Sequence, residues 1–179
     1  TINPVNDVPV LFYIFSFIGL DQKFIMHLAV GTSFAIIIPT SIISTMTHMK
    51  YKAVDFNIVK TFGTFVATGV ILGTVFAASL KTANLLLFFS VVTMFFGIWF
   101  LITKEQKNPK PRKINLIYRV IYGFLSGFLS APMGIAGGII NIPILKMFGY
   151  PINVAIGSSA AVGFLIASIG ATGFVTSGS

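Results

Sequence analysis

Residues 131–159 read APMGIAGGIINIPILKMFGYPINVAIGSS. The stretch is apolar enough for a membrane, yet it holds five glycines, three prolines and two asparagines. Glycine and proline both oppose a continuous helix, the first through lost backbone entropy and the second through a missing N–H. Non-helical backbone at membrane depth must be buried in protein or line a cavity, because lipid offers its N–H and C=O groups no partner. The stretch therefore predicts a broken helix with a site beside it.

The rest of the chain supplies the membrane. Of its 179 residues, 55% are hydrophobic and 9% charged, and the mean hydropathy is +0.94. Soluble domains carry about 25% charged residues, so this composition predicts an integral membrane protein. The net charge of +8 gathers in short loops, as expected of cytoplasmic loops. No nucleic-acid-binding motif accompanies it, so nucleic acid is not read as a partner. There is no cysteine, which excludes disulfides and thiolate chemistry. The opening TINPVND has neither a methionine nor a positive n-region, so the chain is expected to begin inside something longer.

Apolar runs mark the helices. Val8–Leu20 is too short to cross, at about 1.5 Å per residue against a hydrocarbon core of roughly 30 Å. Leu28–Thr47, Ile58–Leu80 and Asn84–Thr103 are long enough. The basic loop Lys104–Lys113 follows, then Leu116–Leu129, the break, the short Ile139–Phe148 and the long Val154–Val175. These runs are too uniformly apolar for barrel strands. The predicted fold class is an all-α polytopic bundle with inverted-topology repeats and broken short helices.

The repeat shows in the residues. Pro9 matches Pro143, Gly19 matches Gly149, and Ala29-Val30-Gly31-Thr32-Ser33 matches Ala155-Ile156-Gly157-Ser158-Ser159. Each copy runs short segment, turn, A-[VI]-G-[ST]-S, long span. The first long span ends beside Lys50 and Lys52, the second in an uncharged TSGS. The positive-inside rule places the loops around Lys50–Lys52 and Lys104–Lys113 in the cytoplasm, so the copies point in opposite directions. The predicted organisation is a first repeat over 1–103, a basic loop over 104–115 and a second repeat over 116–179. Inverted repeats with interrupted helices point to a secondary transporter with a midplane site.

These motifs, together with the loop HMKYKAVDF at 48–56, resemble the TauE/SafE-type sulfite exporter family, also called toluene-sulfonate uptake permeases. That family's loop reads H-L-R-R-G-x-V-D-W, with glycine where this chain has Ala53. Its break reads G-x-G-G-G, where this chain has Gly134-Ile135-Ala136-Gly137-Gly138. The first copy lacks such a break, and the family would continue beyond the second long span, so the chain is expected to be a piece that lacks part of the site. The resemblance implies a multi-pass plasma (inner) membrane protein that exports or takes up sulfite or organosulfonates.

The residues themselves suggest how an anion would be held. A helix restarting near Ile139 presents unpaired N–H groups and the positive end of its dipole, and an oxyanion fits there. The candidate substrate-binding residues are Gly134, Gly137, Gly138, Asn141, Pro143, Thr32, Ser33, Ser158, Ser159 and Asp7. Ser130 is a weaker candidate. The plain structural alternative makes the glycines packing residues and the four hydroxyls helix caps. Asp7 aligns with Asn141, as a proton relay, as a residue of the outer interface, or as the cap of the short helix that follows. Gly69-x-x-x-Gly73 and Gly123-x-x-x-Gly127 read as helix contacts, and Arg119 as a side chain that snorkels to the cytoplasmic face. His27 and His48 have no second ligand at metal spacing, so no metal site is predicted.

With no nucleophile–base pair, P-loop or dinucleotide fingerprint, the chain is not read as an enzyme and no cofactor is called for. The expected function is an alternating-access carrier of small anions in the lipid bilayer, coupled to protons, to Na+ or to the substrate's own gradient. A passive anion channel, or a membrane-embedded subunit of a larger complex, is the alternative. Assembly into oligomers is compatible with the sequence.

Overall fold

The computed structural model describes the backbone of residues 4–19, 25–102, 115–135 and 137–177. Among these residues there are seven helices: α1 (Pro4–Phe17), α2 (Ile25–Lys50), α3 (Phe56–Ser79), α4 (Thr82–Ile102), α5 (Leu116–Met133), α6 (Gly138–Met147) and α7 (Ile152–Ser177). The described residues contain no strand. Five helices are long and apolar enough to cross a membrane, while the apolar stretches Val8–Phe17 and Gly138–Met147 are shorter. The basic loop at 104–113 lies outside the described residues.

Small residues decide which helices touch. In lipid there is no hydrophobic drive between helices, so association rests on close van der Waals packing. Helices α3 and α5 run parallel with their glycine pairs face to face. A Cβ on Gly127 would fall on the Val66 carbonyl, and one on Gly69 on the Phe124 carbonyl. A Cβ on Gly73 would stand 2.6 Å from Phe128 O, so the glycine Hα in that direction meets the oxygen directly. That oxygen is the one Pro132 leaves without an i+4 donor. The predicted helix-contact role of both glycine pairs is therefore what the backbone shows.

Helices α2 and α7 cross the bundle antiparallel. Phe34 meets Gly170 and Gly31 meets Phe174 at one end, and His48 meets Gly157 at the other. The second contact defines a basic end, where Lys50 closes α2 and α3 begins. Helix α6 finishes at this same end, because Leu145, Phe148 and Tyr150 line one crevice with Ile58, Thr61 and Arg119. Helix α1 runs the other way. Its Val8 lies at the break, with Cγ2 2.9 Å from where a Cβ on Gly134 would sit, and it leads towards the start of α2 at the far end. There His27 Nε2 lies 3.2 Å from Ala77 O. A carbonyl only accepts, so Nε2 carries the proton and ties α2 to the end of α3.

Two short helices thus start near the middle and run to opposite ends. Their registers match: Pro9 and Pro143 are each the sixth residue of their helix. Gly19 and Gly149 close the two helices at φ 81° and 82°, a left-handed position that only glycine takes without strain. Helix α1 has 14 residues and α6 has 10, so the first copy is longer by about one helical turn. Helix α4 lies at the periphery and exposes Leu87, Val91, Met94 and Phe95, a face suited to lipid.

Candidate functional site

The break is narrower than the sequence suggests. Helix α5 continues through Pro132 to Met133, and only residues 134–137 separate it from α6. Gly134 stops α5 in the left-handed conformation, φ 62°. Its N–H donates to Ala131 O and that of Ile135 to Ser130 O, both at 3.3 Å, the paired bonds of a Schellman cap. Gly137 is also left-handed, φ 70°, and its carbonyl accepts from Ile140 N–H at 3.1 Å and Asn141 N–H at 2.6 Å. The N–H groups of Gly138 and Ile139 lead α6 with no backbone partner among the described residues. Pro143 leaves Ile139 O without its usual i+4 donor.

Polar side chains converge on this turn. Ser33 Oγ on α2 donates to Gly134 O at 2.9 Å, which takes up a carbonyl that would otherwise repel an anion. On α5, Ser126 Oγ donates to Oδ1 of Asn141. Asn141 is 0% exposed, and its Nδ2 has no partner among the described residues. That nitrogen lies 2.7 Å from where a Cβ on Gly137 would stand, so the amide faces the turn. Ser130, one helical turn beyond Ser126, is also 0% exposed with its Oγ unpartnered. A buried polar group left unpaired costs about 1–3 kcal/mol. Asn141 Nδ2 and Ser130 Oγ are two such groups, on the helices that the turn joins.

The steric demand differs along the turn. A Cβ on Gly137 would approach Ile166 Cδ1 to 2.5 Å, and one on Gly134 would come within 3.2 Å of Val30 Cα. A Cβ on Gly138 would meet nothing nearer than Ile142 Cδ1 at 4.0 Å.

The structure brings Gly134, Gly137, Gly138, Asn141 and Ser33 together. Ser126, which the sequence reading missed, contacts Asn141, and Ser130 lies one turn further along α5. Pro143 lies inside α6. Ser158 lies elsewhere: its Oγ accepts from Asp55 N–H at 3.0 Å, holding the loop between α2 and α3 on α7. Ser159 is buried with an unpartnered hydroxyl. Thr32 is half-buried and makes no side-chain hydrogen bond among the described residues.

The capping alternative fails for all four hydroxyls, because α2 begins at Ile25 and α7 at Ile152, well before them. Asp7 is likewise within α1, its fourth residue, rather than at its cap; its side chain lies outside the described residues. The Nη1 of Arg119 donates to Thr61 Oγ1 at 3.1 Å.

A bundle with five helices long and apolar enough to cross a membrane is the architecture of a multi-pass membrane protein. The comparisons with known proteins make this specific. The profile of the sulfite exporter TauE/SafE family matches residues 8–179, and the chain belongs to that family. It is 28% identical over 171 residues to a probable membrane transporter protein of Haemophilus influenzae, covering 96% of this chain and 65% of that one. It is 30% identical over 155 residues to a probable membrane transporter protein of Methanocaldococcus jannaschii, covering 86% and 57%. A third, YunE of Bacillus subtilis, is 27% identical, covering 96% and 70%. The chain thus spans 65% and 57% of the length of the first two relatives. No solved structure matches it significantly.

Proposed function

We propose that the protein is a secondary transporter of small sulfur-containing anions, sulfite or organosulfonates, working by alternating access. The observation that carries this reading is the pair of buried, unpartnered groups, Asn141 Nδ2 and Ser130 Oγ, beside the turn from which α6 starts. Both can donate to an oxyanion, and the dipole of α6 adds partial positive charge. The sulfur chemistry rests on the family's description.

The two short–long helix pairs, α1–α2 and α6–α7, support reading 1–103 and 116–179 as inverted repeats. We place the basic end in the cytoplasm on the strength of Lys50 and Lys52. Burial of the site favours a carrier over a channel, since Asn141 and Ser130 are fully covered and a ligand enters only if elements move apart. A gradient of protons, of Na+ or of the substrate itself would drive the cycle, with Asp7 the carboxylate placed at the counterpart of Asn141. Ser33 stays in the proposed site as the residue that holds the turn, and Ser159 as a further hydroxyl.

The test is counterflow of radiolabelled sulfite in proteoliposomes, with and without a pH gradient. Saturable exchange that is lost in Gly137→Val, with membrane insertion unchanged, is expected. Unaltered exchange in that variant would reduce the turn to a packing device. Currents near channel conductance would contradict the carrier.

A further inference from the structure

We propose that Arg119 is an anion-recruiting residue at the basic end: it draws the substrate anion to the crevice between α3, α5 and α6, from which one face of α5 leads to the glycine turn. This rests on the proposed anion site and adds to it the residue that captures the anion at one end of the bundle.

Arg119, Ser126 and Ser130 follow one another on α5 at spacings close to two helical turns and one, so they stack on one side of the helix. Contacts fix what that side looks at. Ser126 contacts Asn141 on α6. Tyr122, between Arg119 and Ser126 in the chain, meets Phe148 just beyond α6, with ring centroids 5.8 Å apart. Arg119 lines the crevice with Leu145, Phe148 and Tyr150. Helix α6 therefore runs beside this face of α5 from the turn to the crevice. At about 1.5 Å per residue, Arg119 stands roughly 10 Å along α5 from the level of Ser126.

The charge in the crevice lacks a counter-charge. A guanidinium carries five N–H donors in a planar fork and keeps its proton at any physiological pH. Thr61 takes one of those donors, and the Thr61 hydroxyl itself donates to Asn57 O at 2.7 Å, so its oxygen faces Arg119 as an acceptor. No carboxylate pairs with Arg119 among the described residues. Asp55, the acid at the head of α3, accepts instead from the N–H groups of Asn57 and Ile58. Lys60 and Lys146, at the same end, add charge of the same sign. The crevice walls are otherwise apolar, with Ile58, Phe62, Leu145 and Phe148, and low-dielectric walls focus the field of a charge they enclose. A small oxyanion supplies what this half-buried guanidinium lacks. Tyr122 and Phe148 stand between the crevice and Asn141, and Leu145 is buried. An anion held at Arg119 thus reaches the turn when α5 and α6 part, the motion that alternating access requires.

The test is sulfite exchange in proteoliposomes of known orientation, made of neutral phosphatidylcholine, with sulfite supplied from either end of the protein. Arg119→Gln keeps an N–H donor for Thr61 and removes the charge. From the basic end it is expected to slow exchange at low sulfite about tenfold, the scale of electrostatic steering, and to leave the rate at saturating sulfite within about twofold, since capture and not turnover is altered. From the opposite end exchange is expected to be unchanged. Arg119→Lys, which keeps the charge, is expected to retain most of the wild-type rate at low sulfite. Added salt screens the charge and is expected to bring the wild type down towards Arg119→Gln.

Three results overturn the inference: wild-type exchange by Arg119→Gln at low sulfite, an equal loss from both ends, or a loss that appears only when the vesicles contain phosphatidylglycerol, which would make the anion at Arg119 a lipid head group. Gly137→Val separates this from the larger reading. If Gly137→Val abolishes exchange while Arg119→Gln exchanges normally, only the recruiting role falls. If both variants exchange normally, the site at the turn falls with it.

Discussion

The A-x-G-[ST]-S motif occurs twice and does two different jobs. On α7, Gly157 lies so close to the loop after α2 that a Cβ would fall on the Ala53 carbonyl, and Ser158 accepts from Asp55 N–H. On α2, Gly31 has open room, its nearest neighbour being Phe174 Cβ at 3.7 Å, and it is Ser33 that works, donating to Gly134 O. Copy two thus uses its first hydroxyl and copy one its second. The counterpart of Ser33, Ser159, has no partner among the described residues. Both motifs present a small, hydroxyl-bearing helix surface, and the backbone set against it decides which hydroxyl acts. At the heads of the short helices the difference is chemical, Asp7 in one and Asn141 in the other.

The sharpest break in this comparison lies at the turn. Gly137→Ala is expected to abolish sulfite transport, since the residue is left-handed and its Cβ would meet Ile166 and Asn141. Gly138→Ala is expected to keep most of it, because its Cβ has free space. Transport assays on both variants check this, and equal loss would show that the turn needs glycine for some reason other than space.

Next in size are the motif glycines. Gly157→Ala is expected to lower stability by about 1–3 kcal/mol, the cost of overpacking. Gly31→Ala is expected to be neutral or stabilising by up to about 1 kcal/mol from helix propensity. Thermal unfolding in detergent reads the difference.

The hydroxyls come third. Ser33→Ala leaves Gly134 O unpaired and is expected to lose about 1–3 kcal/mol. Ser159→Ala removes a hydroxyl that has no partner, so stability is expected to hold while transport falls if that hydroxyl meets substrate.

The smallest effect concerns Lys52, which follows the end of α2 at φ 52°, where the short helices use Gly19 and Gly149. Lys52→Gly is expected to stabilise by about 1 kcal/mol by relieving left-handed strain. No gain in unfolding temperature would indicate that Lys52 makes a compensating contact.

Much of this architecture can be read from residues alone. Long apolar runs bounded by charged or turn residues locate the helices. The limits of the break were less legible. Pro132 reads as a stop, yet α5 passes through it because Gly73 on α3 meets the carbonyl that the proline leaves free. Ser126 was missed because a single serine in an apolar run is common. Its spacing of four from Ser130, on a helix whose Gly123 and Gly127 face α3, was the available signal. That Ser158 holds a loop while Ser33 holds the turn depends on contacts between segments about 100 residues apart, which no local pattern encodes.

The central claim is that Asn141 Nδ2 donates to a bound anion. Solid-state NMR of the reconstituted protein, with the side-chain amide of Asn141 assigned by its loss in Asn141→Ala, tests it directly. Titration with sulfite is predicted to shift that amide's ¹⁵N and ¹H resonances until they saturate. Resonances that stay fixed while the same sample transports sulfite would contradict it.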